Sequence, residues 1–260
     1  MWLSTLDSLP ARRVQMLVVA QEATRVGYAN MVDCAVTVGN VNGDSHWVRW
    51  HELYDEPGSA LPRRLRRIQA RVIETLDSRP DGPIRVLSMC AGQGRDLIGP
   101  LATHPRRDDV RALLVELDPD NAETARRAAA AAGLSGVEVL RADAALPSVY
   151  TPVVPVDLAL VCGVFGNISD DDIRRTIEYL PSMLRSEGRV IWTRHREEPD
   201  RTPTIRDWFS ACGFTEVAFD SEPGYFYGVG THLLATEVAK PAEPGAKLFT
   251  FFGDGARAQL

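Results

Sequence analysis

The sequence predicts an α/β domain, doubly wound around a mostly parallel seven-stranded sheet, with a terminal antiparallel hairpin and a helical N-terminal cap. Three observations predict it. From Pro83 onward, short apolar runs alternate with helix-like segments, the pattern of parallel strands joined by crossover helices. Between Arg85 and Asp96 the chain reads RVLSMCAGQGRD, an apolar strand that runs straight into a glycine turn. After Gly213 the rhythm changes: FTEVAF and FYGVGTHLLATEV are strand-like runs joined through Glu222, Pro223 and Gly224, with no helix between them. A short connection of that kind makes a hairpin.

The elements follow in order. Residues 1–80 form the expected cap or lid, with helical stretches around Ala11 to Arg25 and Leu61 to Leu76 on either side of a polar segment from Gly39 to Gly58. Residues 81–240 form the main domain. Its parallel strands are Ile84 to Met89, Arg111 to Leu117, Val137 to Arg141, Val156 to Cys162 and Arg189 to Thr193. Helices are expected near Asp96 to Ala102, Pro119 to Gly133, Ser169 to Arg185 and Pro203 to Cys212. The second is the clearest: Pro119 suits a first helical turn, the body is rich in alanine, and Gly133 is a natural stop. The tail, residues 241–260, holds a Pro/Gly-rich linker and then LFTFF, which docks as a short strand or stays a loose end.

Composition bounds the function. With 260 residues, 45% of them hydrophobic and 25% charged, the chain can bury a substantial core. A net charge of -6 argues against general affinity for nucleic-acid phosphates. Arg63, Arg64, Arg66, Arg67 and Arg71 form one basic patch, read here as the solvated face of a helix. Cys34, Cys90, Cys162 and Cys212 are scattered, with no pair at CxxC spacing, so reduced thiols and a cytoplasmic location are expected. No long uninterrupted apolar run is present, and neither export nor a membrane span is expected.

The glycine turn and a distant acid carry the chemistry. Gly92 and Gly94 let a ligand approach the main chain and allow positive φ. Glu116, in LLVELDP, ends the next apolar strand about twenty residues on, where doubly wound folds set an acid against ribose hydroxyls. Together they point to a bound nucleoside.

On these residues the stretch from Pro83 to Val238 resembles the class I methyltransferases that use S-adenosylmethionine, and more narrowly a little-characterised bacterial group of them. VLSMCAGQG matches the family's glycine motif, with Ser88 where the family usually has an acid and Cys90 in place of its first glycine. The resemblance implies cofactor contacts from Ser88, Cys90, Ala91, Gly92, Gly94 and Asp96 around the first turn, with Asp96 supplying the missing acid. It implies further contacts from Glu116 and Leu117 after the second strand, and from Cys162 and Gly163 after the fourth. Asp143 and Ala144, in LRADA, follow the third strand, where the acid accepts from the adenine amino group.

The resemblance also implies an acceptor site beside the fourth strand. Phe165 and Asn167, in GVFGN, fall there, with Phe165 able to face a cation. Tyr54 and His51, in WVRWHELYDEPGS, form an aromatic substrate wall or join cap to core. His51, His46 and His195 are the candidate general bases, with His51 and then His195 preferred. Asp170, Asp171 and Asp172 follow Ser169 at a helix start and read as capping and dipole residues. Magnesium-dependent catechol-type relatives have an acid where this chain has Cys162 and Gly163, so no metal is expected. The Asp-Pro-Pro-Tyr or Asn-Pro-Pro-Tyr signature of nucleic-acid amino methyltransferases is absent after the fourth strand. The expected acceptor is therefore a small molecule, without nucleic acid or membrane partners, and a homodimer stays open. Two alternatives remain: a non-catalytic nucleoside-binding protein, and an NAD(P)-dependent oxidoreductase, whose fingerprint wants a glycine where Leu97 stands.

Overall fold

A computed structural model describes residues 54, 56, 59–235 and 247–252. The expected helix from Ala11 to Arg25, most of the polar segment after it, Cys34 and His51 lie outside the described residues. Helix α1 (Leu61–Ser78) leads into β1 (Ile84–Met89), α2 (Arg95–Leu101), β2 (Val110–Glu116), α3 (Pro119–Ala131), β3 (Val137–Arg141) and β4 (Val156–Val161). Then come α4 (Asp170–Tyr179), β5 (Leu184–His195), α5 (Thr202–Ala211), β6 (Phe214–Glu222) and β7 (Tyr225–Leu234).

The seven strands lie in the order β3-β2-β1-β4-β5-β7-β6. Neighbours from β3 to β5 are parallel, while β7 runs antiparallel to both β5 and β6. The sheet order reverses direction at β1, so β1 and β4 diverge to helices on opposite faces. That switch point opens a crevice at the strands' carboxyl ends.

Period-two alternation builds a core on each face. Leu87, Met89, Ala159 and Val161 point into one core, with Ile173 and Ile177 of α4 and Ile205 and Phe209 of α5. Val86, Leu158 and Leu160 point into the other, against Ile68, Val72 and Leu76 of α1 and Ala125 and Ala129 of α3. The four-residue spacing of the α1 trio puts one helical face on the sheet.

Local chemistry sets the helix starts. Asp118 accepts from the amides of Asp120 and Asn121 ahead of α3, with Pro119 in the first turn. Ser169 accepts from Asp172 N at the start of α4, as the capping reading expects. Helix α4 is shorter than its expected run to Arg185. It ends at Tyr179 and tightens into a 3-10 turn at Leu180–Met183, because Pro181 cannot supply the amide that would continue it. Strand β5 accordingly starts at Leu184 rather than Arg189, with Glu187 at φ 60 and Gly188 absorbing a register shift against β4.

The arginine patch is not one solvated face. Arg71 makes two bonds to the Asp220 carboxylate, at 2.7 and 2.8 Å, and one to Glu74. Arg63 pairs with Glu222 at 2.7 Å and lies over the Tyr225 ring. These contacts fasten α1 to the β6–β7 hairpin. Arg64 turns inward, and Arg66 and Arg67 are exposed.

Candidate active site

At the carboxyl ends of β1 to β4 the structure holds a cavity of about 500 Å³, within the range of small-molecule sites. Its wall includes Cys90, Ala91, Gly92 and Asp96 after β1, Glu116 and Leu117 after β2, Asp143 and Ala144 after β3, and Cys162, Gly163 and Asn167 after β4. Tyr54 also lines it.

The turn after β1 is built by three departures from ordinary backbone at alternate residues. Cys90 takes φ 50 and Gly92 φ 55, and Gly94 enters α2 at φ 72. Gly94 serves packing rather than the cavity. A Cβ there would come within 2.6 Å of Ile98 and 2.9 Å of Leu114, and the residue is absent from the cavity wall. Ser88 is buried within β1, level with Leu114 and Leu160 of the adjoining strands, and also stays behind the wall.

Glu116 links the two halves of the motif. Its Oε2 accepts from Gly92 N at 2.7 Å and its Oε1 from Asp118 N at 2.8 Å. The acid thus fixes both the glycine turn and the approach to α3. Burial raises its pKa, with the amides of Asp118 and Gly92 opposing that shift. Each carboxylate oxygen has a second lone pair, so the group can still accept from a ligand in the cavity.

Asp143 is tied in the same manner, Oδ1 accepting from Ala145 N at 2.9 Å and Oδ2 from Lys247 Nζ at 2.7 Å. Burial alone would raise its pKa, but Lys247 and the Ala145 amide more than offset this and hold the group below the usual carboxylate range. It is an ionised acceptor at neutral pH.

A second cluster of polar groups lines the cavity beside β4. Arg64 Nη2 donates to the Tyr54 hydroxyl at 3.2 Å, and the Arg95 guanidinium lies 5.1 Å from the centre of the Tyr54 ring. Asp96 is shifted upward by burial, against the pull of Arg64. Cys162 is raised well above its ordinary value by burial and by Asp96, and Cys90 by burial and by Glu116 and Asp143. Both thiols therefore stay protonated and are poor nucleophiles at neutral pH.

The turn after β4 is stapled by Gly163 N donating to Thr193 Oγ1 at 2.8 Å and by Asn167 Nδ2 donating to the Gly163 carbonyl. Gly163 has φ 74, and a Cβ built on it would meet nothing within 4 Å, so the backbone is approachable there. Asn167 Oδ1 is buried and has no donor among the described residues, an acceptor left over in the wall of a cavity.

Besides Ser88 and Gly94, two further expected residues lie off the wall. Phe165 is fully buried, its ring 5.9 Å from Trp192 and 6.4 Å from Phe209. The tight turn at Gly163 folds it back into the core rather than out toward a ligand. His195 pairs with Tyr227 across the sheet and packs near Gly166, but is not part of the cavity wall.

Sequence reasoning passed over Arg64, Arg95, Asn121, Lys247, Phe249 and Phe251, all of which line the cavity. A signal for Arg64 was present. It stands four residues before Ile68 on the stripe that continues through Val72 and Leu76, so a charge falls on a face that goes inside.

The seven-stranded, mostly parallel sheet with its antiparallel C-terminal strands matches the Rossmann-like methyltransferase fold. The CurJ carbon methyltransferase is one similar solved structure, with a TM-score of 0.59 at 12% identity over 88% of this chain and 72% of that one. Magnesium protoporphyrin IX methyltransferase from Synechocystis PCC 6803, solved with bound S-adenosylmethionine, gives 0.52 at 14% identity over 73% and 91%. No curated protein matches the sequence. The profile of one protein family, described as "Putative methyltransferase", matches residues 62–202. The chain belongs to that family.

Proposed function

We propose that the protein transfers a methyl group from S-adenosylmethionine to a small organic acceptor by in-line displacement. The observation that carries this reading is the convergence of Gly92, Glu116, Asp143 and Gly163, from four successive strand ends, on one cavity. Family membership favours methyl transfer over nicotinamide chemistry. The donor-bound structure from Synechocystis supports the choice of cofactor by fold.

In this reading Glu116 accepts from the ribose hydroxyls while keeping the Gly92 turn in place, and Asp143 accepts from the adenine amino group. Arg64 and Asp96 offer one cation and one anion for the charged methionyl end. The orphaned Asn167 Oδ1 and the open backbone at Gly163 fit a ligand at the reacting end. The bound cofactor supplies a methyl group on a positively charged sulfur. The chain's own contribution is to orient the acceptor and exclude water, which is worth about 7 kcal/mol or more when reacting atoms are aligned. Tyr54 and Asn167 form the acceptor side. Helix α1 packs on the sheet, so the region before Leu61 is the part proposed as its cap, and His51 in that region is a candidate base.

The test is turnover with methyl-labelled donor against a panel of phenols, carboxylic acids, amines and thiols, beside calorimetry with S-adenosylmethionine and NAD. Donor binding with label transfer to a panel member is expected. Preferential NAD binding overturns the reading, and donor binding with no transfer to any acceptor turns it into a non-catalytic one.

A further inference from the structure

The segment 247–252 is far in sequence from every other part of the cavity wall, yet it lies along that wall. Leu248 N donates to Ala145 O at 2.8 Å, just past β3, and Phe252 N donates to Asn167 O at 2.9 Å, just past β4. Between them Thr250 N donates to Asp172 Oδ2 at 2.9 Å, and Arg175 reaches the Leu248 carbonyl at 3.3 Å. Leu248 and Phe249 are 1% and 3% exposed and belong to the main core. Lys247, Phe249, Thr250 and Phe251 line the cavity, and the Phe249 and Phe251 rings lie 5.5 Å apart. Each anchor is a wall residue or, through Asp172 and Arg175, belongs to the helix that follows β4.

We infer that residues 247–252 are a clasp built into the cofactor site. Lys247 orients Asp143 at the adenine end, and Phe249 and Phe251 supply the apolar wall along the nucleoside toward the reacting end. This rests on the cavity being the site of S-adenosylmethionine. A carboxylate gripped by Ala145 N and Lys247 has one geometry in which to meet an adenine amino group, so Lys247 is a positioning residue. The two rings offer flat apolar surface, which suits a purine and a thioether far better than water.

Calorimetry of the full chain with S-adenosylhomocysteine tests it, using wild type, Lys247→Ala, Lys247→Arg and Phe251→Ala. Lys247→Ala should weaken binding roughly 3- to 10-fold and Lys247→Arg should largely restore it. Phe251→Ala should weaken it about 10-fold through lost apolar contact. In the wild-type chain, S-adenosylhomocysteine should also slow amide hydrogen exchange at Leu248, Thr250 and Phe252. This readout stands even if a variant misfolds. Wild-type affinity or tighter in both alanine variants, or no added protection in the segment, overturns the clasp while wild-type binding leaves the function standing. Absence of wild-type binding overturns both.

Discussion

Trp192 on β5 and Glu116 on β2 each carry a polar group into the interior, and their surroundings treat it differently. Trp192 Nε1 donates to His232 Nδ1 at 3.1 Å, and Phe209 stacks against both rings, with centroids 5.8 and 4.4 Å away. Phe165 and Phe219 tilt against the same indole. That polar pair is enclosed by aromatic surface. Glu116 is 8% exposed, holds two backbone amides and still borders an open cavity. The first region uses polar atoms to fix how rings pack. The second fixes polar atoms so that they stay available. A buried polar group therefore marks a site only when part of its bonding capacity faces space.

Three changes sharpen this contrast. The largest effect is expected from Trp192→Ala, which empties the centre of the aromatic cluster and should cost about 3–5 kcal/mol of stability. Chemical denaturation checks that magnitude. Affinity for S-adenosylhomocysteine in the folded fraction should hold, and a comparable loss of affinity would break the separation of the two regions.

The next concerns pH. Burial pushes the pKa of His232 down to about 4, with Glu216 opposing and Arg206 adding to the shift. The unfolded chain, with its histidine near 6.5, binds the proton more readily. This contribution is therefore fully present above pH 6.5 and is lost as pH falls from there to about 4, on the order of 3 kcal/mol in all. Denaturation midpoints across that range, compared with His232→Phe, isolate it; identical pH slopes in the two proteins would remove the assignment.

The smallest is Glu116→Ala, which should weaken binding of S-adenosylmethionine by about 1–3 kcal/mol through lost charge-assisted hydrogen bonds. Calorimetry measures it. Unchanged affinity would leave Glu116 as a brace for the Gly92 turn alone.

Much of this was legible in the sequence because the signals are local. Strands β1 and β3 fall on the expected residues, since Ile84 to Met89 and Val137 to Arg141 carry branched apolar residues between turn residues. The place of Glu116 and Asp143 on the cavity wall was legible because each sits at or just past the end of a strand. What escaped was set by distant chain. Nothing in the spacing of residues 143 and 247 brings a lysine to an aspartate, and LFTFF docks through Leu248, Thr250 and Phe252 without becoming a strand. Phe165 was misplaced because its position after β4 is local knowledge, whereas its direction depends on how Trp192 and Phe209 fill the core. The arginines of α1 looked solvent-facing because their acids, Asp220 and Glu222, lie on a hairpin far along the chain.

Those same arginines bear on where the folding unit ends. The matched family region stops at residue 202, before β6 and β7. A polypeptide trimmed there would bare the β5 edge from Arg189 to His195 and deprive Arg63 and Arg71 of their hairpin carboxylates. Unpaired strand edges invite association with other chains. The boundary drawn by similarity is thus narrower than the boundary drawn by self-sufficiency, and the hairpin is what covers the β5 edge.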